Sequence, residues 1–266
     1  MECKNCRTPL TDQSAYCYAC GGKVVRNRLT IRNLFEHFSE TFLNYDNKFF
    51  QTFINLFKKP EDVIGSYIDG TRKKYVDVIS FFAIAITITG IEYFILHTFY
   101  PEFLDLSQVT AKGTEQFSNE FLQLVQKYQS FALMLFVPVY ALMGRLVFLN
   151  IKKYNYTEVL VIFMYIIAQM TIVGSLIIIP SAVLGFKMGI MSIFIMSIQI
   201  AYSAYCLKRL YGLSFLGMVL KSLLFLVVLF LFYILFTVIF MILLFLINGP
   251  DFFKEIIEAQ RAAKGT

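Results

Sequence analysis

Long apolar runs dominate the chain after residue 77. The clearest covers residues 222–247, which contain no charged residue. At about 1.5 Å per residue, a helix of this length exceeds the roughly 30 Å thickness of a bilayer core, where only a helix satisfies its own backbone. We therefore predict an all-α integral membrane protein with about five transmembrane helices, at residues 78–99, 131–149, 159–180, 188–207 and 223–247.

A second pattern precedes the first span. Between residues 29 and 57, apolar side chains recur every three or four residues, which is the period of an α-helix. Polar residues occupy the opposite face, so this amphipathic helix is too polar to cross a bilayer. We expect it to lie in the membrane interface or to pack on the bundle. A helix that binds a protein partner is the alternative.

A short helix and a basic segment then lead into the first span. Pro60 suits the first helical turn, and Gly70 suits the end of the helix. The basic residues that follow favour the cytoplasmic side of the membrane and contact with anionic lipid headgroups, namely Arg72, Lys73 and Lys74.

The charges of the loops predict the orientation of the spans. Arg145, Lys152 and Lys153 flank the second loop, and further basic residues flank the fourth, whereas the long first loop is acidic. Because cytoplasmic loops carry the excess of Lys and Arg, the N terminus is expected in the cytoplasm and the C terminus outside. If one of the five segments is re-entrant, the C terminus lies inside instead. The net charge of +6 is explained by this topology, so no nucleic-acid partner is expected.

Four cysteines near the N terminus carry the sharpest chemical signal. They are spaced as Cys3-x-x-Cys6 and Cys17-x-x-Cys20, with ten residues between the pairs. Two such knuckles supply four thiolates, the ligand set of a structural zinc ion with no open position. Two disulfides or a rubredoxin-like iron site are the alternatives, and a cytoplasmic location disfavours disulfides.

Three polar residues within the predicted spans form a candidate intramembrane site, since such residues are costly in a bilayer. Glu92 lies towards the outer end of the first span. It is a candidate proton or cation site, or its carboxylate is hydrogen-bonded by water or a neighbouring donor at the outer interface. Gln169 and Gln199 lie near mid-depth in the third and fourth spans. Hydrogen bonding between these two glutamines would hold the helices together without any transport role.

Enzyme signatures are absent from the sequence. With only two histidines, the chain has no His-x-x-x-His metal pair, and it has neither a glycine-rich phosphate loop nor a nucleophile elbow. We therefore expect a non-enzymatic protein.

Several of these motifs together resemble an uncharacterised family of bacterial membrane proteins, domain of unknown function 3667, found widely among Bacteroidota. The likeness rests on the cysteine knuckles with Gly21, on residues 60–76 and on Asn155-Tyr156-x-Glu158, which is also a helix-capping pattern. Arg7 stands where glycine is usual in that family. The resemblance implies a bacterial cytoplasmic membrane as the location, and it implies no reaction.

The chain is thus expected to comprise a zinc ribbon (1–23), juxtamembrane helices (24–77), a five-span domain (78–247) and a C-terminal tail (248–266). The leading hypothesis is a scaffold or adaptor whose cytoplasmic ribbon recruits or senses a protein partner. The alternative is a transporter of small solutes or ions that uses Glu92, Gln169 and Gln199. A lipid-modifying enzyme is a third class. No pattern indicates an oligomeric state.

Overall fold

The computed structural model describes residues 1–11, 13–22, 24, 48–71, 73–104 and 127–264, except for the side chains of 241, 243, 244 and 247–264. The chain divides into two units, Met1–Asn47 and Lys48–Thr266. Residues 25–47, which carry most of the predicted amphipathic helix, lie outside the described residues. Arg72 also lies outside them.

The second unit is helical throughout its described elements. Residues 48–58 form helix α1. The elements that follow are α2 (Pro60–Ile68), α3 (Val78–Phe99), a short 3₁₀ turn (Pro101–Leu104), α4 (Gln129–Val147), α5 (Tyr156–Val183), α6 (Met188–Tyr211) and α7 (Phe215–Lys264). Five of these helices, α3 to α7, are long and apolar enough to cross a membrane, which confirms the predicted class of membrane protein.

Local capping explains where two of the spans begin. At the start of α5, the Asn155 side chain accepts a hydrogen bond from the Glu158 amide at 2.9 Å, and Glu158 accepts from the Asn155 amide at 2.7 Å. This confirms the predicted capping pattern. At the start of α7, the Ser214 hydroxyl accepts from the Gly217 amide at 3.1 Å, so the helix begins before the purely apolar run.

Helix α5 lies at the centre of the helical unit. Buried side chains point in every direction around it, including Ile162, Tyr165, Ile166 and Ala168, whereas the side chains along α7 are largely exposed. A helix that is apolar and buried all round must be enclosed by other helices, whereas an exposed apolar helix faces lipid. Helices α3 and α4 pack against α5 in this arrangement.

Helices α1 and α2 belong to the same packed unit. Thr52, Leu56, Val63 and Ile64 have no exposed surface, and the Phe49 ring lies 5.6 Å from that of Phe81 on α3. The described part of the predicted amphipathic helix therefore packs on the bundle.

Gly144 permits the close approach of α4 to α5. A Cβ atom at this position would lie 2.4 Å from Cε2 of Phe163, which is closer than carbon atoms approach each other in real structures. The Phe163 ring has little room to yield, because it stacks on Tyr140 at 6.4 Å and on Phe225 at 5.9 Å. Any side chain larger than hydrogen at residue 144 must displace this aromatic stack.

We predict that Gly144→Ala lowers the free energy of unfolding by about 1–3 kcal/mol, because it overpacks this contact. Gly65→Ala is the matched control, since nothing lies within 4 Å of a Cβ there and alanine favours a helix. Thermal unfolding of both variants in the same detergent provides the measurement. A Gly144→Ala protein as stable as the unaltered chain would contradict the prediction.

Candidate functional site

The four N-terminal cysteines form a compact cluster of sulfur atoms. All four Sγ atoms lie within 4.8 Å of one another, with Cys3 and Cys20 at 3.7 Å and Cys6 and Cys17 at 3.5 Å. A tetrahedral ion with metal–sulfur bonds of about 2.3 Å requires sulfur–sulfur distances of about 3.8 Å. The cluster fits this requirement, and all four cysteines are free of disulfide bonds.

The backbone places these sulfurs through two knuckles with matching hydrogen bonds. In the first, the Arg7 amide donates to the Cys3 carbonyl at 2.8 Å, and in the second the Gly21 amide donates to the Cys17 carbonyl at 2.8 Å. The fifth residue of each knuckle has a positive φ, 60° at Arg7 and 68° at Gly21. Arg7 thus adopts a backbone conformation that favours glycine.

Hydrogen bonds within the cluster also lower the pKa of two of its thiols. The Thr8 side chain lies 3.1 Å from the Cys6 sulfur and lowers the pKa of that thiol to about 6. The pKa of Cys20 is lowered chiefly by the Gly22 amide, with help from the Asn5 side chain. Thiolates are the form that binds a metal, so these contacts favour the metal-binding state.

Cys17 behaves differently from its neighbours. Its pKa is raised to about 11, because a hydrogen bond from the Cys20 backbone is outweighed by burial and by the adjacent sulfurs. Cys17 packs with Cys3 and Leu10 in a small buried core. A bound cation would supply the charge that lets Cys17 release its proton.

The three polar span residues each have different surroundings. Glu92, on α3, is only 6% exposed and accepts a hydrogen bond from the Ser175 hydroxyl of α5. Gln169 is fully buried and donates to the Phe53 carbonyl at 3.0 Å rather than to Gln199. Its second polar atom, Oε1, has no partner among the described residues. Gln199 instead lines a groove between α6 and α7.

Tyrosine hydroxyls satisfy backbone groups that the break between α1 and α2 leaves without partners. Because Pro60 has no N–H group, it cannot donate to the Leu56 carbonyl four residues earlier. The Tyr202 hydroxyl of α6 donates to that carbonyl at 3.0 Å, and the Tyr205 hydroxyl donates to the Lys58 carbonyl at 3.3 Å. Sequence reasoning missed both tyrosines, although their spacing places them one turn apart on one helix face.

The chain before α3 is held by the same kind of contact. The Tyr165 hydroxyl donates to the Val76 carbonyl at 2.8 Å, and the Val76 amide donates to the Thr52 hydroxyl at 3.0 Å. Both polar groups of the Val76 backbone are therefore satisfied by side chains. These bonds join α1, α5 and the start of α3 at one point.

Ion pairs at the ends of the helices fix α2. Arg209, at the end of α6, donates through Nε to Glu61 at 3.0 Å, and Lys74 bridges both Asp62 oxygens at 2.8 Å. These partners lower the pKa of Glu61 and of Asp62. Among the predicted lipid-contacting residues, Lys74 is therefore already paired, while Lys73 is exposed.

We predict that Arg7→Gly strengthens metal binding about fivefold, because it removes roughly 1 kcal/mol of backbone strain. Gly21→Ala is expected to weaken binding, since it introduces the same strain into the second knuckle. Zinc retention against a graded chelator, measured on the purified full chain, tests both substitutions. An Arg7→Gly protein that loses zinc as readily as Gly21→Ala would contradict the prediction.

Comparison with known proteins locates a family match at the start of the helical unit. Residues 46–90 match the model of a family described as a protein of unknown function, DUF3667. These residues contain α1, α2 and the first half of α3. No curated protein and no solved structure matches the chain. The resemblance to the DUF3667 family is therefore confirmed over residues 46–90.

Proposed function

We propose that this chain is a non-enzymatic adaptor of the bacterial cytoplasmic membrane, whose cytoplasmic N-terminal zinc ribbon recruits or senses a protein partner. The cluster of four cysteine sulfurs is the observation that carries this proposal. A closed four-thiolate site has no position left for substrate, so its role is to stabilise a binding surface. Because the same chain carries the membrane helices, a bound partner is tethered to the membrane.

Zinc is the metal that best suits the cluster. The sulfur–sulfur distances of 3.5 and 3.7 Å match a tetrahedral tetrathiolate, and Cys₄ is a common structural zinc set. The described part of the first unit contains a very small apolar core around Cys3, Leu10 and Cys17. A two-knuckle segment this short, with so small a core among its described residues, depends on the metal for its folding free energy.

Exposed tyrosines beside the knuckles supply a surface for a protein partner. Tyr16 is 61% exposed and Tyr18 is 78% exposed, and they flank the metal-binding Cys17. Tyrosine is enriched at the energetic centres of protein interfaces, because it offers a rigid apolar ring with a polar tip. Metal binding at Cys17 would hold both rings in a fixed arrangement.

The proposed cytoplasmic side is supported by where the basic residues converge. Lys153 donates to the Leu210 carbonyl at 2.6 Å, and Lys221 donates to the Val147 carbonyl at 2.6 Å. These bonds gather the basic second and fourth loops at one end of the bundle. Arg209 pairs with Glu61 of α2 at the same end, so the chain approaches the first span from the positively charged side.

The test compares the intact chain with two variants of equal expression, by crosslinking and co-purification from native membranes together with metal analysis. Cys3→Ser/Cys6→Ser should lose both zinc and the partner. Tyr16→Ala/Tyr18→Ala should keep zinc and lose most of the partner, because it removes the contact surface without touching a ligand.

Two outcomes would contradict the proposal. If the cysteine variant keeps its zinc, these residues are not the ligand set. If zinc is lost but every crosslinked protein is still recovered, the ribbon has a structural role and recruits nothing. A partner that depends on the cysteines and also on the tyrosines supports recruitment.

A transporter is the second candidate, favoured by the buried carboxyl of Glu92. Among the described residues, its carboxyl accepts a hydrogen bond from the Ser175 hydroxyl, so a carboxyl group is held between two membrane helices. The charged form of such a group is costly in a bilayer, and ionisable groups that are kept there commonly serve a function. If transport is the function, Glu92→Gln should abolish solute flux while the protein still accumulates. Loss of accumulation instead would indicate a packing role.

A further inference from the structure

A groove of about 230 Å³ lies between α6 and α7, with side chains of α4 and α5 forming its floor. Its two walls are stripes at helical spacing, at residues 196–207 of α6 and 218–229 of α7. Each stripe covers three helical turns, which is about 16 Å of length. The groove is therefore a long slot along the membrane helices rather than a compact chamber.

Most of the slot is apolar and lies where lipid surrounds the protein. Phe163 and Ile167 form part of the floor, and Leu226 and Leu229 line the wall on α7. The neighbouring surfaces of both walls are exposed apolar side chains, such as Phe194 and Phe230. An elongated apolar slot in this setting suits a hydrocarbon chain better than water, which needs polar partners.

Polar and basic groups occur towards one end of the slot. Lys221 and Ser222 lie on the α7 wall, and Ser203 lies on the opposite wall. Lys221 is held at this end by its bonds to the Val147 carbonyl and to Asn150, both at 2.6 Å. The slot thus combines hydroxyl groups and a fixed ammonium group at this end with a mainly apolar stretch beyond them, which also includes Gln199 on the α6 wall.

The charge at this end is positive. Besides Lys221, the Lys208 ammonium lies 5.9 Å from the Phe215 ring, and Lys153 is anchored on the Leu210 carbonyl. The carboxylate of Glu61 is paired with Arg209. The positive end of a slot at the boundary of a membrane complements an anionic headgroup.

We propose that this groove binds one acyl chain of an anionic phospholipid, with the phosphate at Lys221 and the ester carbonyls near Ser203 and Ser222. The apolar chain then occupies the slot between α6 and α7, where it fills the space that the helices leave. This site is independent of the N-terminal cysteines, so it stands whether or not the ribbon recruits a partner.

Native mass spectrometry of the full chain, purified from membranes in a mild detergent, tests the proposal. The intact protein should retain about one phospholipid, chiefly an anionic one. Ala204→Phe should lose it, because Ala204 lines the slot and the larger ring fills it. Ile193→Phe is the matched control and should retain lipid, because Ile193 is a residue of α6 that is 64% exposed and does not line the slot.

Lys221→Gln separates headgroup recognition from folding. Glutamine keeps a donor for the Val147 carbonyl but removes the charge, so we expect the preference for anionic over zwitterionic phospholipid to fall several-fold while the protein stays folded. Unchanged preference would overturn the headgroup assignment. Absence of retained lipid in the intact chain, or equal loss from Ile193→Phe and Ala204→Phe, would overturn the site itself.

Discussion

The arrangement of the helical unit depends on hydrogen bonds between later helices and the backbone groups of the segment 48–76. This segment breaks at Pro60 and again before α3, so it has backbone groups that no helix of its own can pair. An unpaired polar group in a buried apolar setting costs about 1–3 kcal/mol. Hydroxyl groups of α5 and α6 meet this need, and they come from Tyr165 and Tyr202. Gln169 of α5 adds a further bond to the Phe53 carbonyl within α1.

The same contacts connect the family match to the rest of the protein. Residues 46–90 supply the broken segment, whereas the three side chains that pair with it lie outside the match, on two later spans. A segment tied to the bundle in this way has a fixed position at the positively charged end. The groove between α6 and α7 is lined in part by side chains of the same two helices, α5 and α6.

Apolar runs and metal-ligand spacing predicted the parts of the structure whose causes are local. The spans follow from hydrophobic length, the start of α5 from Asn155 and Glu158, and the sulfur cluster from two Cys-x-x-Cys pairs. The roles of Tyr165 and Tyr202 were not predictable in this way, because their partners lie 89 and 146 residues away along the chain. Likewise, the apolar stripe that ends at Leu56 fits the membrane interface and the bundle equally well. Only the hydrogen bonds that its backbone accepts from side chains of α5 and α6 distinguish packing on the bundle from a position in the interface.

Hydrogen–deuterium exchange of residues 48–76 in the full-length protein is the most direct test of this arrangement. The account predicts slow exchange in the intact chain and much faster exchange in a Tyr202→Phe/Gln169→Leu variant, with α4 unchanged. Tyr233→Phe, which alters a tyrosine of α7 that is 66% exposed, should leave the whole pattern as it is. Fast exchange of α1 in the intact chain, or no response to the double substitution, would contradict the account, since α1 would then not be held by α5 and α6.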